Sequence, residues 1–99
     1  DWELVHISEV RATPHGNVHR EGADVVARLA ACMEQAGIIK NDVVLAMVYC
    51  SSDAVAEAFR KEAVSVLPDS AIHLIPSRPM RELDGTHIKV ELTARRLVE

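Results

Sequence analysis

The chain has 99 residues, with 11 Lys plus Arg against 15 Asp plus Glu, a formal charge of −4, and 48% apolar residues. This predicts a single soluble domain over residues 1–99 and excludes disorder as the main state, because enough apolar surface is available to offset ordering. Mild acidity without any basic run argues against nucleic acid as a partner, and no apolar stretch approaches the roughly 18 residues of a membrane span.

The elements follow in chain order. Trp2–Ser8 predicts a strand, alone or as half of a hairpin. Thr13-Pro14-His15-Gly16-Asn17 is a turn signal. Ala23–Ala36 reads as a helix, with Val25, Val26, Leu29, Met33 and Ala36 on one face and Asp24 near the positive end of its dipole. Gly37 is expected as a left-handed C-cap. After the break at Asn41-Asp42, Val43–Cys50 is apolar on both faces, as in a central strand. Ser51-Ser52-Asp53 offers an N-cap for a second helix carrying Val55, Phe59, Ala63 and Val66, stopped by Pro68. Ala71–Ile75 predicts a third strand, and Pro76–Gly85 a loop. His87–Ala94 alternates most cleanly: Ile88, Val90, Leu92 and Ala94 share one face, and His87, Lys89, Glu91 and Thr93 share the other.

The fold class is therefore α+β: a mixed, mostly antiparallel sheet with two helices on one face. The other face, polar along the last strand and apolar along Val43–Cys50, would be left open. Closed self-association is the common way to cover such a face. Cys32 and Cys50 both sit in apolar patterns, so no disulfide scaffold is expected. The N-terminus has neither the basic start nor the long apolar core of a signal peptide, and a cytoplasmic location is the default.

Several strings, in order and at matching spacing, resemble the Rid (YjgF-like) superfamily, whose wider fold group includes chorismatases and AroH-class chorismate mutases. Leu4-Val5-His6-Ile7-Ser8 resembles the family's strand ending in a small-residue turn. Ala36-Gly37-Ile38 with Asn41-Asp42-Val43-Val44 resembles its helix-to-strand join. Val48-Tyr49-Cys50-Ser51-Ser52-Asp53 resembles its strand leading into a helix, and His87–Leu92 its closing strand. Ala71–Leu74 and the run on to Arg81 are similar to chorismatases. Phe59 with Ala63-Val64, and Met80-Arg81-Glu82, are similar to pieces of the mutases.

The resemblance implies a homotrimer with sheets facing inward and pockets between subunits that bind small carboxylic acids or reactive imines. Two departures stand out. Pro68-Asp69-Ser70 lacks the arginine with which imine-hydrolysing Rid enzymes clamp the substrate carboxylate. In the closing strand, Lys89 replaces the first glutamate and Glu91 keeps the second. The essential late arginine of the mutases also falls on Lys89, their glutamate is matched by Glu82, and one of their N-terminal arginines falls on Val10, beside Arg11.

These residues define the candidate site. Lys89 would hold a carboxylate, as a point charge rather than the fork of an arginine; otherwise it is a solvated lysine paired across strands. Glu91 is a candidate general base or water-positioning group, or else an ion-pair partner. Glu82 could hydrogen-bond a substrate hydroxyl. Arg78 and Arg81, on the Pro-bordered loop, could bring cations to a shared pocket or remain solvated. His87 is the remaining candidate ligand-binding group, against a structural role. His15 and His19 have zinc-like spacing, but Pro14 and Gly16 break any helix and no third ligand is near, so no metal and no cofactor is expected. Cys50, just ahead of a helix, keeps a minor nucleophile reading.

Two functions follow from this reading. One is an enzyme adding or removing water at an enamine, imine or enol ether, or a chorismate-using relative. The other is a non-catalytic ligand-binding or regulatory trimer. Its partners would be further copies of itself and a small carboxylate.

Overall fold

The computed structural model describes residues 1–12, 17–76 and 87–97. The strands are β1 (Trp2–Arg11), β2 (Val43–Cys50), β3 (Ile72–Pro76) and β4 (Ile88–Leu97), and the helices are α1 (Val18–Ala36) and α2 (Asp53–Ala63). The four strands form one sheet in the order β1-β4-β2-β3. β4 runs antiparallel to both β1 and β2, and β2 runs parallel to β3 across the α2 crossover. The sheet is thus mixed and mostly antiparallel, with both helices on one face, as the patterning predicts.

The reason is written in the alternation of β4. Ile88, Val90, Leu92 and Ala94 are buried under the helices, together with Ala46, Val48 and Cys50 of β2. Val5 and Ile7 of β1 pack at the margin of this core. The helices contribute Val25, Leu29, Met33, Val55 and Phe59. Lys89, Glu91 and Thr93 point to the opposite face and are only half-buried.

Several boundaries differ from expectation, and β1 runs on past Ser8 to Arg11. α1 begins at Val18, because Asn17 caps it: its side-chain Oδ1 accepts from the N–H of His19 at 3.0 Å and of Arg20 at 3.2 Å. The helix is expected only from Ala23, yet Glu21 and Gly22 ahead of it are buried helix residues. α2 closes at Ala63, whose carbonyl accepts from both Val66 and Leu67. The third strand follows a short 3₁₀ turn (Asp69–Ala71) and starts one residue late, at Ile72. β4 extends to Leu97 because β1 pairs along its whole second half, from Leu92 to Leu97.

Gly37 caps α1 in the left-handed region (φ 71°), as predicted, and Ile38 N–H returns to Met33 O at 2.9 Å. Gly22 has a different reason. A Cβ there would lie 3.0 Å from Ala58 Cβ and 3.1 Å from Phe59 N, so glycine sets the closeness of α1 to α2. Gly22→Ala is expected to push the helices apart and to cost about 1–3 kcal/mol, read as a lower urea midpoint with an unchanged slope. An unchanged midpoint would show that the helix crossing is not tight.

Candidate functional site

The face left open by the helices carries the polar side of β4, flanked by β1 and β2. Cross-strand pairing decides which side chains meet there. Lys89 lies between Arg11 of β1 and Tyr49 of β2, and Glu91 pairs with Met47. The Tyr49 hydroxyl donates to Glu91 Oε2 at 3.2 Å. Lys89 Nζ stands 5.0 Å from the centroid of the Tyr49 ring, a cation–π contact. One phenol therefore positions both the cation and the carboxylate.

The β1 side is shaped by a bulge. Between Ile7 and Val10 the register slips by one residue, placing Ser8 and Glu9 opposite Glu91; Glu9 has φ 57°. A bulge of this kind re-aims the side chains after it. Arg11 Nη2 lies 3.4 Å from Glu9 Oε1. The strip thus sets one cation, Lys89, and one carboxylate, Glu91, on an aromatic ring, with the Arg11–Glu9 pair at the β1 edge.

Further along the same face, Thr93 Oγ1 meets His6 Nδ1 at 3.0 Å, and the Arg95 guanidinium stacks 4.8 Å from the Trp2 ring centroid. Trp2, Leu4 and Leu97 are strongly exposed there. The face is therefore polar at one end and apolar at the other.

The Tyr49 pKa is raised above its ordinary value, first by loss of water, then by the Glu91 charge, then by the hydrogen bond to Glu91. Each cause favours the neutral phenol, so Tyr49 serves Glu91 as a donor at neutral pH. Cys50 is pushed up to about 11, first by burial and then by the Asp53 charge, against a smaller opposing effect at the Ile75 backbone. A thiol held that high is a poor nucleophile at neutral pH, which removes the nucleophile reading of Cys50.

The other sequence candidates divide. Lys89 and Glu91 come together, as their alternation predicts. His87 lies just outside β4, correcting its placement in the strand: its ring Nδ1 contacts Ser51 Oγ at 2.8 Å and its Nε2 faces Glu21 Oε2 at 3.8 Å. Arg78, Arg81, Glu82 and His15 lie outside the described residues. Tyr49 and Arg11 were not among the candidates; only the strand register brings them to Lys89. Among the described residues no group of three or more His, Cys, Asp or Glu could hold a metal ion, and no helix is long and apolar enough to cross a membrane.

Among solved structures, a YjgF-family protein from Neisseria meningitidis superposes with a TM-score of 0.75 at 15% identity, covering 97% of this chain and 82% of that one. The fold is that of the YjgF/Rid proteins. RidA from an Antarctic Psychrobacter matches with a TM-score of 0.71 at 18% identity, over 92% of this chain and 79% of its own. A YjgF/YER057c/UK114-family member from Mycobacterium tuberculosis gives 0.61 at 18%, over 92% and 77%. No family model matches the sequence, and no curated protein does. The Rid fold is thus shared at a sequence distance where the chemistry must be argued from this chain's own residues. Ser70, at the position where the resemblance calls for an arginine, is exposed in the turn ahead of β3.

Tyr49 is the single tyrosine of the chain, so its ultraviolet titration reports this site alone. Its midpoint is expected above 10, and Glu91→Gln should lower it by removing the charge and the charged acceptor while leaving the desolvation. An unchanged midpoint in Glu91→Gln would show that the two side chains do not meet.

Proposed function

We propose that this chain is a divergent Rid-superfamily member that binds a small carboxylic acid in pockets between the subunits of a homotrimer, with the open sheet faces turned inward. The observation that carries this reading is the strip of Lys89, Tyr49 and Glu91 on the one sheet face that the helices do not cover. A second subunit laid over the strip would exclude water from it. In the lower dielectric so formed, Lys89 and its neighbour Arg11 hold a carboxylate more strongly than they would in water.

The chemistry that fits is hydrolysis of an enamine or imine, or of an enol ether. Lys89 anchors the substrate carboxylate. Glu91 takes a proton from the water that adds to the imine carbon and returns it to the nitrogen, so that the carbon–nitrogen bond breaks, ammonia leaves and the carbonyl forms; an enamine enters as its imine tautomer. Glu82, Arg78 and Arg81 would join from the loop as hydroxyl- and carboxylate-binding groups. His87, already engaged by Ser51 and Glu21, takes no part in this reading. Two free cysteines suit a reducing cytoplasm.

A second reading, a ligand-binding or regulatory trimer without catalysis, is favoured by Ser70. Without an arginine there, the substrate carboxylate is left to Lys89, which makes no planar two-point contact. Glu91 is also occupied by Tyr49.

Thermal shift separates the readings when run with chorismate, 2-aminoacrylate analogues and aromatic acids, followed by assay for turnover of the ligand that binds. A ligand at 100 times its Kd should stabilise by about 2.7 kcal/mol, and Lys89→Met should abolish that shift. Binding with turnover supports the enzyme, and binding without turnover supports the second reading. No shift with any acid, or a shift that survives in Lys89→Met, would contradict both.

A further inference from the structure

Apart from the open face, at the end of the sheet where β2 gives way to α2, three side chains from distant parts of the chain converge. We propose that Ser51, His87 and Glu21 form a second, hydrolytic site, a nucleophile, base and orienting acid that cleaves small uncharged acyl esters. This inference is independent of the carboxylate-binding reading above, because none of its residues belongs to the Lys89 strip.

The geometry is specific. Ser51 lies on the turn between β2 and α2, and its Oγ is 2.8 Å from His87 Nδ1. The opposite ring nitrogen, Nε2, faces Glu21 Oε2 at 3.8 Å. Two backbone contacts hold the group together: His87 N–H donates to Glu21 Oε1 at 2.7 Å, and Ser51 N–H donates to His87 O at 3.0 Å.

Glu21 is fully buried, and its Oε2 has no hydrogen-bond partner. A buried carboxylate oxygen in that state is costly, and the facing imidazole is the group placed to relieve it. It favours the tautomer with the proton on Nε2. That leaves the Nδ1 lone pair to accept the Ser51 proton, as a general base must. The contact is longer than a hydrogen bond, as is common before substrate closes such a site. A structural tie needs only the backbone contact to Glu21 Oε1; the serine on the far ring nitrogen is additional to it.

There is also room for a substrate. Ser51 lines a cavity of about 300 Å³ whose other walls include Ala56, Leu74 and Ile75, with Asp53 beside them. Its apolar walls suit a short acyl chain, and Asp53 disfavours an anionic one. At the head of α2, Val55 N–H is taken by Ser52 Oγ and Ala56 N–H by Ser52 O, so the N–H groups of Asp53 and Ala54 are the ones that follow Ser51 in the chain for a developing oxyanion.

The reaction balances with water as the only co-reactant. Ser51 Oγ attacks the ester carbonyl while its proton passes to His87 Nδ1. The tetrahedral intermediate collapses, the carbonyl–alkoxy bond breaks, and the alcohol leaves with that proton. Water then attacks the acyl-serine, giving a proton to His87. The acid departs and Ser51 regains its proton.

The test uses the whole chain with p-nitrophenyl acetate, followed by intact-mass and peptide analysis. Expected are hydrolysis above the buffer rate, one acetyl group trapped on Ser51, and losses of at least about 100-fold in Ser51→Ala and in His87→Ala. Glu21→Gln should lower the rate while retaining acetylation at Ser51. Circular dichroism and the urea midpoint confirm that Ser51→Ala is folded. Hydrolysis equal in wild type and a folded Ser51→Ala, or acetylation confined to lysines, overturns the proposal.

Discussion

One strand carries two incompatible faces, and the molecule is organised around that conflict. β4 is hydrogen-bonded on both edges, so it cannot leave the sheet, and its side chains alternate between core and charge. Among the described residues, the two helices cover one face. Ile88, Val90, Leu92 and Ala94 take that cover, and Lys89 and Glu91 are left on the other side with a ring, a bulge and exposed apolar neighbours. A sheet face that mixes Trp2, Leu4 and Leu97 with buried-leaning charges is poorly suited to bulk water. The trimer reading answers both needs at once, since it hides the apolar end and encloses the polar one.

The chemistry of the strip depends on the neutrality of Tyr49. A phenolate beside Glu91 would repel it and would leave Glu91 without a donor. Desolvation and the carboxylate both hold the proton on, so the ring can offer its edge hydroxyl to Glu91 and its face to Lys89. If the strip holds a carboxylate, as proposed, Lys89 would do so without the planar fork of an arginine, and Ser70 supplies none at the position where the resemblance calls for one.

Much of this was legible in the residues. The β4 alternation predicted both its faces and the placement of Lys89 and Glu91 on one of them, and Gly37 and Ser52 marked the helix ends. What escaped was whatever depends on register between distant strands. Tyr49 sits 42 positions from Glu91, and nothing local announces their contact. Glu21 and Gly22 lie outside the expected helix because a charge and a glycine carry no apolar periodicity; one is buried with a contact 66 positions away and the other by the approach of α2. Ser51 and His87, 36 positions apart, form no motif in the chain and meet only because β2 and β4 are neighbours.

The central claim, that further copies of the chain cover the open face, is tested most directly by sedimentation equilibrium at micromolar concentration. The account predicts the mass of three chains, with a Leu4→Glu substitution on that face shifting the population towards one. A stable single chain at those concentrations, unaffected by the substitution, would contradict it.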